Sequence, residues 1–506
     1  MDDFSPACDD IPPALQGLAL APGTATTLQR QLFDSLQHRI IQGQLRPNSR
    51  LPSSRALAKA LGVSRITVVQ TFERLQAEGY LQPRRGQGTF VSPQLPDDAA
   101  PANAEGIPAL DGEGPAPRPS RRGQALLACH LGARGGALPL LAPGVPAVDL
   151  FPFAAGGRLA GRFWRRRPWR AMGYGDPRGY LPLREAIVDY LGTARGVACT
   201  PEQVIVVAGT QQGVGLAAQA LLDPGEPAWV EEPGYRAALV SLAHAGVRRV
   251  PVAVDGEGLN PQLGWEQAPR ARLAMVAPSH QYPLGVTLSL PRRLALLAWA
   301  RQAGAWIVED DYDSEYRYRG APLLALHQLD GGRRVIYLGS FSKVLHPGLR
   351  LGYVVVPEDL VDVFAALRGV SDRHSPLETQ GVMAEFMASN QFSGHVRRLR
   401  TASAERAAAL VAALHRHGLD RWLTVAEPTA GLHLVARLHP GAGVGDDVAL
   451  ATNAAEGGLR TPALSAHYSH HPRQQGLLLG FAATPPGLLD EAVQRLKQLW
   501  VPRGQG

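Results

Sequence analysis

GSFSKVLHPGLRLGY, residues 339–353, places Lys343 in the middle of a Ser/Gly-rich loop. The chain carries 51 Lys plus Arg, yet lysine occurs only at Lys59, Lys343 and Lys497. An arginine guanidinium stays protonated and is a poor nucleophile. A lysine amine can lose its proton and condense with an aldehyde. The loop therefore raises the question of covalent chemistry at Lys343, and its flanks say what kind of body carries it.

Short apolar runs stand on both sides: RVIYLGS (334–340) before the loop and GYVVVP (352–357) after it. Similar runs recur upstream at QVIVVAG (203–209), PAWVEE (227–232), RLAMVAP (272–278) and AWIVEDD (305–311). Helical stretches such as LPRRLALLAWARQAG (290–304) separate several of them. Continuous Val/Ile-rich strands alternating with helices predict an α/β body on a mainly parallel sheet. From about Ser371 the chain is helix-rich and then adds GLHLVARL (431–438) and GLLLGFA (476–482) as further strands, which predicts a smaller C-terminal α+β subdomain.

Ligands of open α/β sheets sit at the carboxyl ends of strands. Glu309, Asp310, Asp311 and Tyr312 stand at one such end, so lysine and carboxylates can share a crevice. VVAGTQQGVGLAAQALL (206–222) reads as strand, Gly/Thr turn and helix. A helix N-terminus with small residues is a ready phosphate site. An amine, a carboxylate and a phosphate cradle are the parts a pyridoxal phosphate site needs.

In this order the residues resemble fold-type I aminotransferases. By that resemblance Lys343 would hold pyridoxal 5'-phosphate through a Schiff base and Asp310 would pair with its pyridine nitrogen. Tyr312 would bond the ring hydroxyl and Tyr235, in EEPGYRAA, would stack on the ring. Thr210, Gln211, Ser340, Ser342 and Arg350 would surround the phosphate. Tyr174, in YGDPRGYLPLREAI, is similar to the tyrosine that reaches the phosphate of a partner subunit, which implies a homodimer. Alone, each residue has an ordinary reading as a cap, a loop or a surface charge; the ordered set is what points to a cofactor. Two positions depart from that family. HQYPLG puts Tyr282 where an asparagine usually contacts the ring hydroxyl, leaving Gln281 or His280 to supply that contact. Leu478 stands where an arginine often holds the substrate carboxylate, and Arg460 would be its replacement.

The net charge of +7 has a location. From Thr24 to Val91 there are ten Arg and Lys against three acids, a surplus equal to that of the whole chain. A basic block on a neutral body suggests an acidic polymer as partner. LQRQLFDSLQHRII (28–41) has Leu32, Leu36 and Ile40 at helical spacing. In SSRALAKALGVSRITVVQTFERLQAEGYL (53–81), Ser53 or Ser54 can cap one helix, Gly62 can make the turn and Ser64 can cap a second. Ile66, Val69, Phe72 and Leu75 are expected inward, with Arg65, Thr67 and Val68 outward. QPRRGQGTFV (82–91) reads as a hairpin wing. The block resembles the GntR family of winged helix-turn-helix regulators. That resemblance implies that Arg55, Ser64, Arg65 and Thr67 meet the major groove of operator DNA and that Arg84, Arg85 and Gly88 reach the minor groove. The two halves together are similar to the MocR/GabR group.

The expected organisation is a tail at 1–23, a winged helix-turn-helix at 24–92, a Pro/Ala/Gly-rich linker at 93–137 with a short helix in GQALLACHL, and the aminotransferase-like body at 138–506. No apolar run approaches the ~20 residues of a membrane span. MDDFSPACDDIPP lacks the pattern of a signal peptide, and Cys8, Cys129 and Cys199 show neither metal spacing nor pairing. These features suggest a cytoplasmic protein without metal. The function expected is a cofactor-dependent transcription regulator whose body senses a small amine, an amino acid or the cofactor itself. The alternative is a working aminotransferase that carries a DNA-binding domain.

Overall fold

The computed structural model describes residues 15, 18–23, 26–95, 118–129, 138–166, 169, 173–320, 323–470 and 474–500. They fall into two compact units, one within 1–117 and one within 118–506. Most of the expected linker and of the N-terminal tail lies outside the described residues. A short helix, Arg121–Ala128, overlaps the expected one.

The first unit holds α1 (Leu28–Ile41), α2 (Ser54–Leu61) and α3 (Arg65–Ala77), then strands β1 (Leu81–Arg84) and β2 (Gly88–Val91) paired as an antiparallel hairpin. Ser53 caps α2 by accepting from the Ala56 amide, and Ser64 caps α3 by accepting from the Thr67 amide. Gly62 takes φ 63, the left-handed conformation that ends α2 without a Cβ penalty. One expectation fails. Val68, Thr71, Phe72 and Leu75 are the buried residues of α3, whereas Ile66 is 68% exposed. The expected stripe advanced by three residues each time, which drifts around a helix of 3.6 residues per turn; mixed steps of three and four stay on one face.

The second unit is built on an eight-stranded sheet. Its strands are β3 (Val204–Val207), β4 (Pro227–Glu232), β5 (Arg248–Asp255), β6 (Gly258–Leu259), β7 (Leu273–Val276), β8 (Trp306–Asp311), β9 (Val335–Ser340) and β10 (Gly352–Val355). The order is β3-β10-β9-β8-β7-β4-β5-β6. β9, β8, β7, β4 and β5 run parallel, while β10 is antiparallel to both its neighbours and β6 to β5. The six runs expected as strands are all present. β5 and β6 were not legible, because β5 opens on two exposed arginines and β6 has only two residues.

Alternation along each strand divides the core between the two faces. Val207, Val230, Met275, Val308 and Ile336 pack with the helices Thr210–Leu221 and Arg236–His244, while Trp229, Ala274, Val276, Ile307 and Val335 pack with the helix Leu290–Ala303. Burial on both faces is why these strands read as unbroken apolar runs.

A second, antiparallel sheet of β11 (Leu423–Val425), β12 (His433–Leu438) and β13 (Gly476–Gly480) forms the smaller subdomain. The helices Gln391–Arg416 and Pro486–Trp500 share its core. Residues 140–144 are stitched to it: the Gly480 amide donates to the Leu141 carbonyl at 2.8 Å and the Arg460 amide to the Leu140 carbonyl at 2.9 Å. A Cβ on Gly480 would lie 2.0 Å from the Ala142 carbonyl oxygen, so only glycine permits this approach.

Candidate functional site

The carboxyl ends of β3, β4, β7, β8 and β9 open on one cavity of about 260 Å³. Lys343, Asp310, Tyr312, Tyr235, Thr210 and Arg460 all line it, and so does Tyr282. Lys343 follows β9, Asp310 lies at the end of β8 and Tyr312 just after it, Tyr235 follows β4, and Thr210 begins the helix after β3. Strand order thus brings Thr210, Tyr235, Asp310, Tyr312 and Lys343 together, and Arg460 arrives from the smaller subdomain.

β8 ends in three consecutive buried acids, and each has its own environment. Glu309 accepts from the Leu326 and His327 amides, both at 2.9 Å. Asp311 pairs with the Arg195 guanidinium at 2.7 Å. Asp310 Oδ1 is buried with no hydrogen-bond partner. Burial pushes the Asp310 carboxyl up to about 7, opposed by the charge of Lys343. Burial also holds the Lys343 ammonium below the usual lysine range, against the pull of Asp313 and Asp310. Its Nζ donates to the Gly144 carbonyl oxygen at 2.8 Å. Burial raises the Tyr235 hydroxyl to about 12, so it stays protonated.

At the start of the helix after β3, Gly209 takes φ 139, and a Cβ there would stand 3.8 Å from Arg350 Nη1. The Ser342 amide donates to Ser340 Oγ at 3.1 Å. Ser340, Ser342 and Arg350 are not among the residues that line the cavity, and Gln211 is exposed. Its neighbour Gln212 is the one engaged, accepting from the Ala208 amide at 2.7 Å. Tyr174 is 83% exposed, with the Arg373 guanidinium 4.4 Å from its ring.

Gln281 does not reach the cavity. It is buried, and its amide donates to Glu231 Oε2 at 3.2 Å and to the Pro233 carbonyl at 2.8 Å. His280 is also turned elsewhere, with Nδ1 2.8 Å from Asp313 Oδ2 and 3.1 Å from Tyr312 Oη. Tyr282 fills the corner they leave, edge-on to Tyr235 with ring centroids 5.6 Å apart. Leu478 is buried with Val435 and Leu464 in an apolar cluster against Tyr282.

Among the lining residues that sequence reasoning did not name, Gly144 and Glu231 bring polar groups to the site. Gly144 carries no side-chain signal at all. Glu231 is a buried acid whose carboxyl is pushed up to about 8 by burial, against donation from the Ala277 amide at 3.2 Å and from Gln281. Two adjacent glutamates at the end of an apolar run, before PGY, were its available signal.

In the first unit Arg55, Arg65, Arg85 and Gly88 are exposed on α2, α3 and the wing. Ser64 and Thr67 are bonded to each other through their hydroxyls at 2.9 Å. Arg84 is held within its own domain: its Nη2 donates to Asn48 Oδ1 at 2.5 Å and its guanidinium lies 4.4 Å from the Phe90 ring centroid.

Comparisons place both units among known proteins. Residues 28–91 match the bacterial regulatory proteins of the gntR family, and residues 169–496 match aminotransferase class I and II. The chain is 40% identical over 477 residues to the probable rhizopine catabolism regulatory protein MocR of Rhizobium meliloti, covering 94% of each. It is 33% identical to the HTH-type pyridoxine biosynthesis transcriptional regulator PdxR of Corynebacterium glutamicum, over 92% of this chain and 94% of that one. The body resembles the solved structure of LysN, the alpha-aminoadipate aminotransferase of Thermus thermophilus, complexed with N-(5'-phosphopyridoxyl)-L-leucine. That match has TM-score 0.65 and 28% identity over 75% of this chain and 94% of that one.

Proposed function

Since the chain belongs to the family of HTH-type transcriptional regulators that join a gntR-family head to an aminotransferase class I and II body, we propose that its body senses a small amine, an amino acid or pyridoxal 5'-phosphate itself. The head reports that occupancy to operator DNA. Pyridoxal 5'-phosphate is the cofactor of this fold, and when bound it supplies an aldehyde that condenses reversibly with primary amines.

The residues fit that group. Lys343 presents a primary amine whose proton is weakened by burial. Asp310 Oδ1, buried and unpartnered, is an acceptor for the proton on the pyridine nitrogen. Tyr312 offers its hydroxyl to the ring oxygen and Tyr235 covers the ring face. Thr210 and the main-chain amide of Gln211 at their helix N-terminus, with Ser340, Ser342 and Arg350, receive the phosphate. Tyr174, exposed on its own chain, completes the cradle of a second copy in a homodimer. Arg460 at the rim takes the carboxylate of an amino-acid effector. On the head, Arg55, Arg65 and Arg85 contact DNA, with Ser64 and Thr67 beside them and Gly88 allowing close approach of the wing. The protein acts in the cytoplasm, where its operator lies.

The observation that carries this reading is the convergence of Lys343, Asp310, Tyr312, Tyr235 and Thr210 on one cavity. Sensing is favoured over turnover by Tyr282, which lines the site and packs against the apolar cluster of Leu478, Val435 and Leu464. An effector shifts DNA affinity only through unequal affinity for two states of the body. The test is to add amines, amino acids and a keto acid to the purified yellow protein. A spectral change that stops after one equivalent and alters operator binding supports the sensor; sustained turnover without effect on DNA overturns it.

A further inference from the structure

A second cavity of about 570 Å³ lies in the same body, lined by Arg195, Arg317, Arg397 and Arg400, with Asp313 and Glu315 facing them. Both acids are already engaged. Asp313 Oδ2 lies 2.8 Å from His280 Nδ1. Glu315 Oε1 accepts from the Tyr190 hydroxyl at 2.7 Å, and burial, with Asp311 nearby, pushes its carboxyl up to about 7. Arg195 is engaged as well, on Asp311 at 2.7 Å, the Ser279 hydroxyl at 3.0 Å and the Leu323 carbonyl at 3.1 Å.

The other three guanidinium groups have no carboxylate partner among the described residues. Arg400 Nε donates to the Glu315 main-chain carbonyl at 2.7 Å. Arg317 Nε is buried and unsatisfied. Arg397 and Arg400 are three residues apart on the helix Gln391–Arg416 and so share a face, where like charges repel. Leaving a buried guanidinium nitrogen unpaired is costly, unless an anion is part of the functional state. The planar guanidinium fork matches the oxygens of phosphate in a bidentate way.

We infer that this cavity is an accessory site for a small phosphate-bearing anion, separate from the cofactor cavity. A single imidazole divides the two: His280 lines the second cavity, and its Nδ1 is 3.1 Å from Tyr312 Oη, which lines the first. Nδ1 carries at most one proton, so Asp313 and Tyr312 compete for it. Charge arriving beside Asp313 is therefore felt at Tyr312.

The experiment is calorimetric titration of the full chain, saturated with pyridoxal 5'-phosphate, with pyrophosphate as the probe. Saturable binding of one equivalent per chain is expected. It should weaken by about tenfold or more in R397Q/R400Q, both exposed positions that leave the core intact, and persist in R248Q/R249Q, which removes the same charge from exposed positions on β5. Equal weakening in both double variants, or no saturable binding to the parent chain, overturns the inference. Because the cofactor is read separately by its colour, failure here leaves the sensing proposal standing.

Discussion

Lys343 Nζ donates to the Gly144 carbonyl oxygen at 2.8 Å, across 199 positions of the chain. The contact joins the loop after β9 to a segment that is itself bonded to the smaller subdomain, through Leu141 to Gly480 of β13 and through Leu140 to Arg460. Both residues line the cavity, so a ligand that engages Nζ competes with this bond, and site occupancy has a physical route to the smaller subdomain.

Gly144→Ala tests that route. Gly144 sits at φ 71, and a Cβ there would stand 3.1 Å from Nζ. A left-handed alanine costs on the order of 1–2 kcal/mol. Thermal melts should show that loss, and operator binding should become less responsive to effector while cofactor colour is kept.

Lys343→Ala should give a folded, colourless protein. Its head retains non-specific DNA affinity, because that rests on the arginines of residues 24–92 and on phosphate neutralisation. Visible absorbance after dialysis against the cofactor and a gel-shift assay read the two halves separately. A stably yellow variant would count against Lys343 as the cofactor's amine.

The pH dependence of cofactor-free stability has a sign set by the buried acids. Asp310 and Glu309 are raised to about 7 and Glu231 to about 8, so between their ordinary and raised values the folded state holds more protons than the unfolded one. Their penalty is absent at low pH and grows as pH rises. His327, His433 and His467 are lowered to about 4, 3 and 4, and oppose this only below their ordinary value near 6.5. From about pH 6.5 to about pH 8 denaturant midpoints should therefore fall. Asp310→Asn should recover on the order of 2–4 kcal/mol at the upper end and bind cofactor at least about tenfold more weakly. A flat parent profile would contradict the assignment.

The phase of α3 is open to a paired measurement. Val68→Ala removes buried methyl groups and should cost about 1–2.5 kcal/mol in the unfolding of the head. Ile66→Ala, at an exposed position, should stay within about 0.5 kcal/mol. Reversed magnitudes would restore the stripe expected from spacing alone.

Much of this protein was legible along the chain. Six of the eight strands of the large sheet announced themselves, because a strand buried on both faces must be apolar throughout. The helix-turn-helix was legible through Ser53, Gly62 and Ser64, whose roles are local. Lys343 stood out by rarity and by its loop. Asp310 and Asp311 each keep a buried oxygen without a partner, and tertiary structure alone decided that, of Glu309, Asp310 and Asp311, it is Asp310 that lines the cavity. That depends on where the Leu326 and His327 amides and the Arg195 guanidinium arrive. It also decided that Gln281 turns to Glu231, that Arg84 is held by Asn48, and that the Gly144 carbonyl meets the Lys343 amine. Patterning records which residues avoid water; it does not record which partner, distant in the chain, supplies each buried polar atom, since that is set by strand order and helix placement.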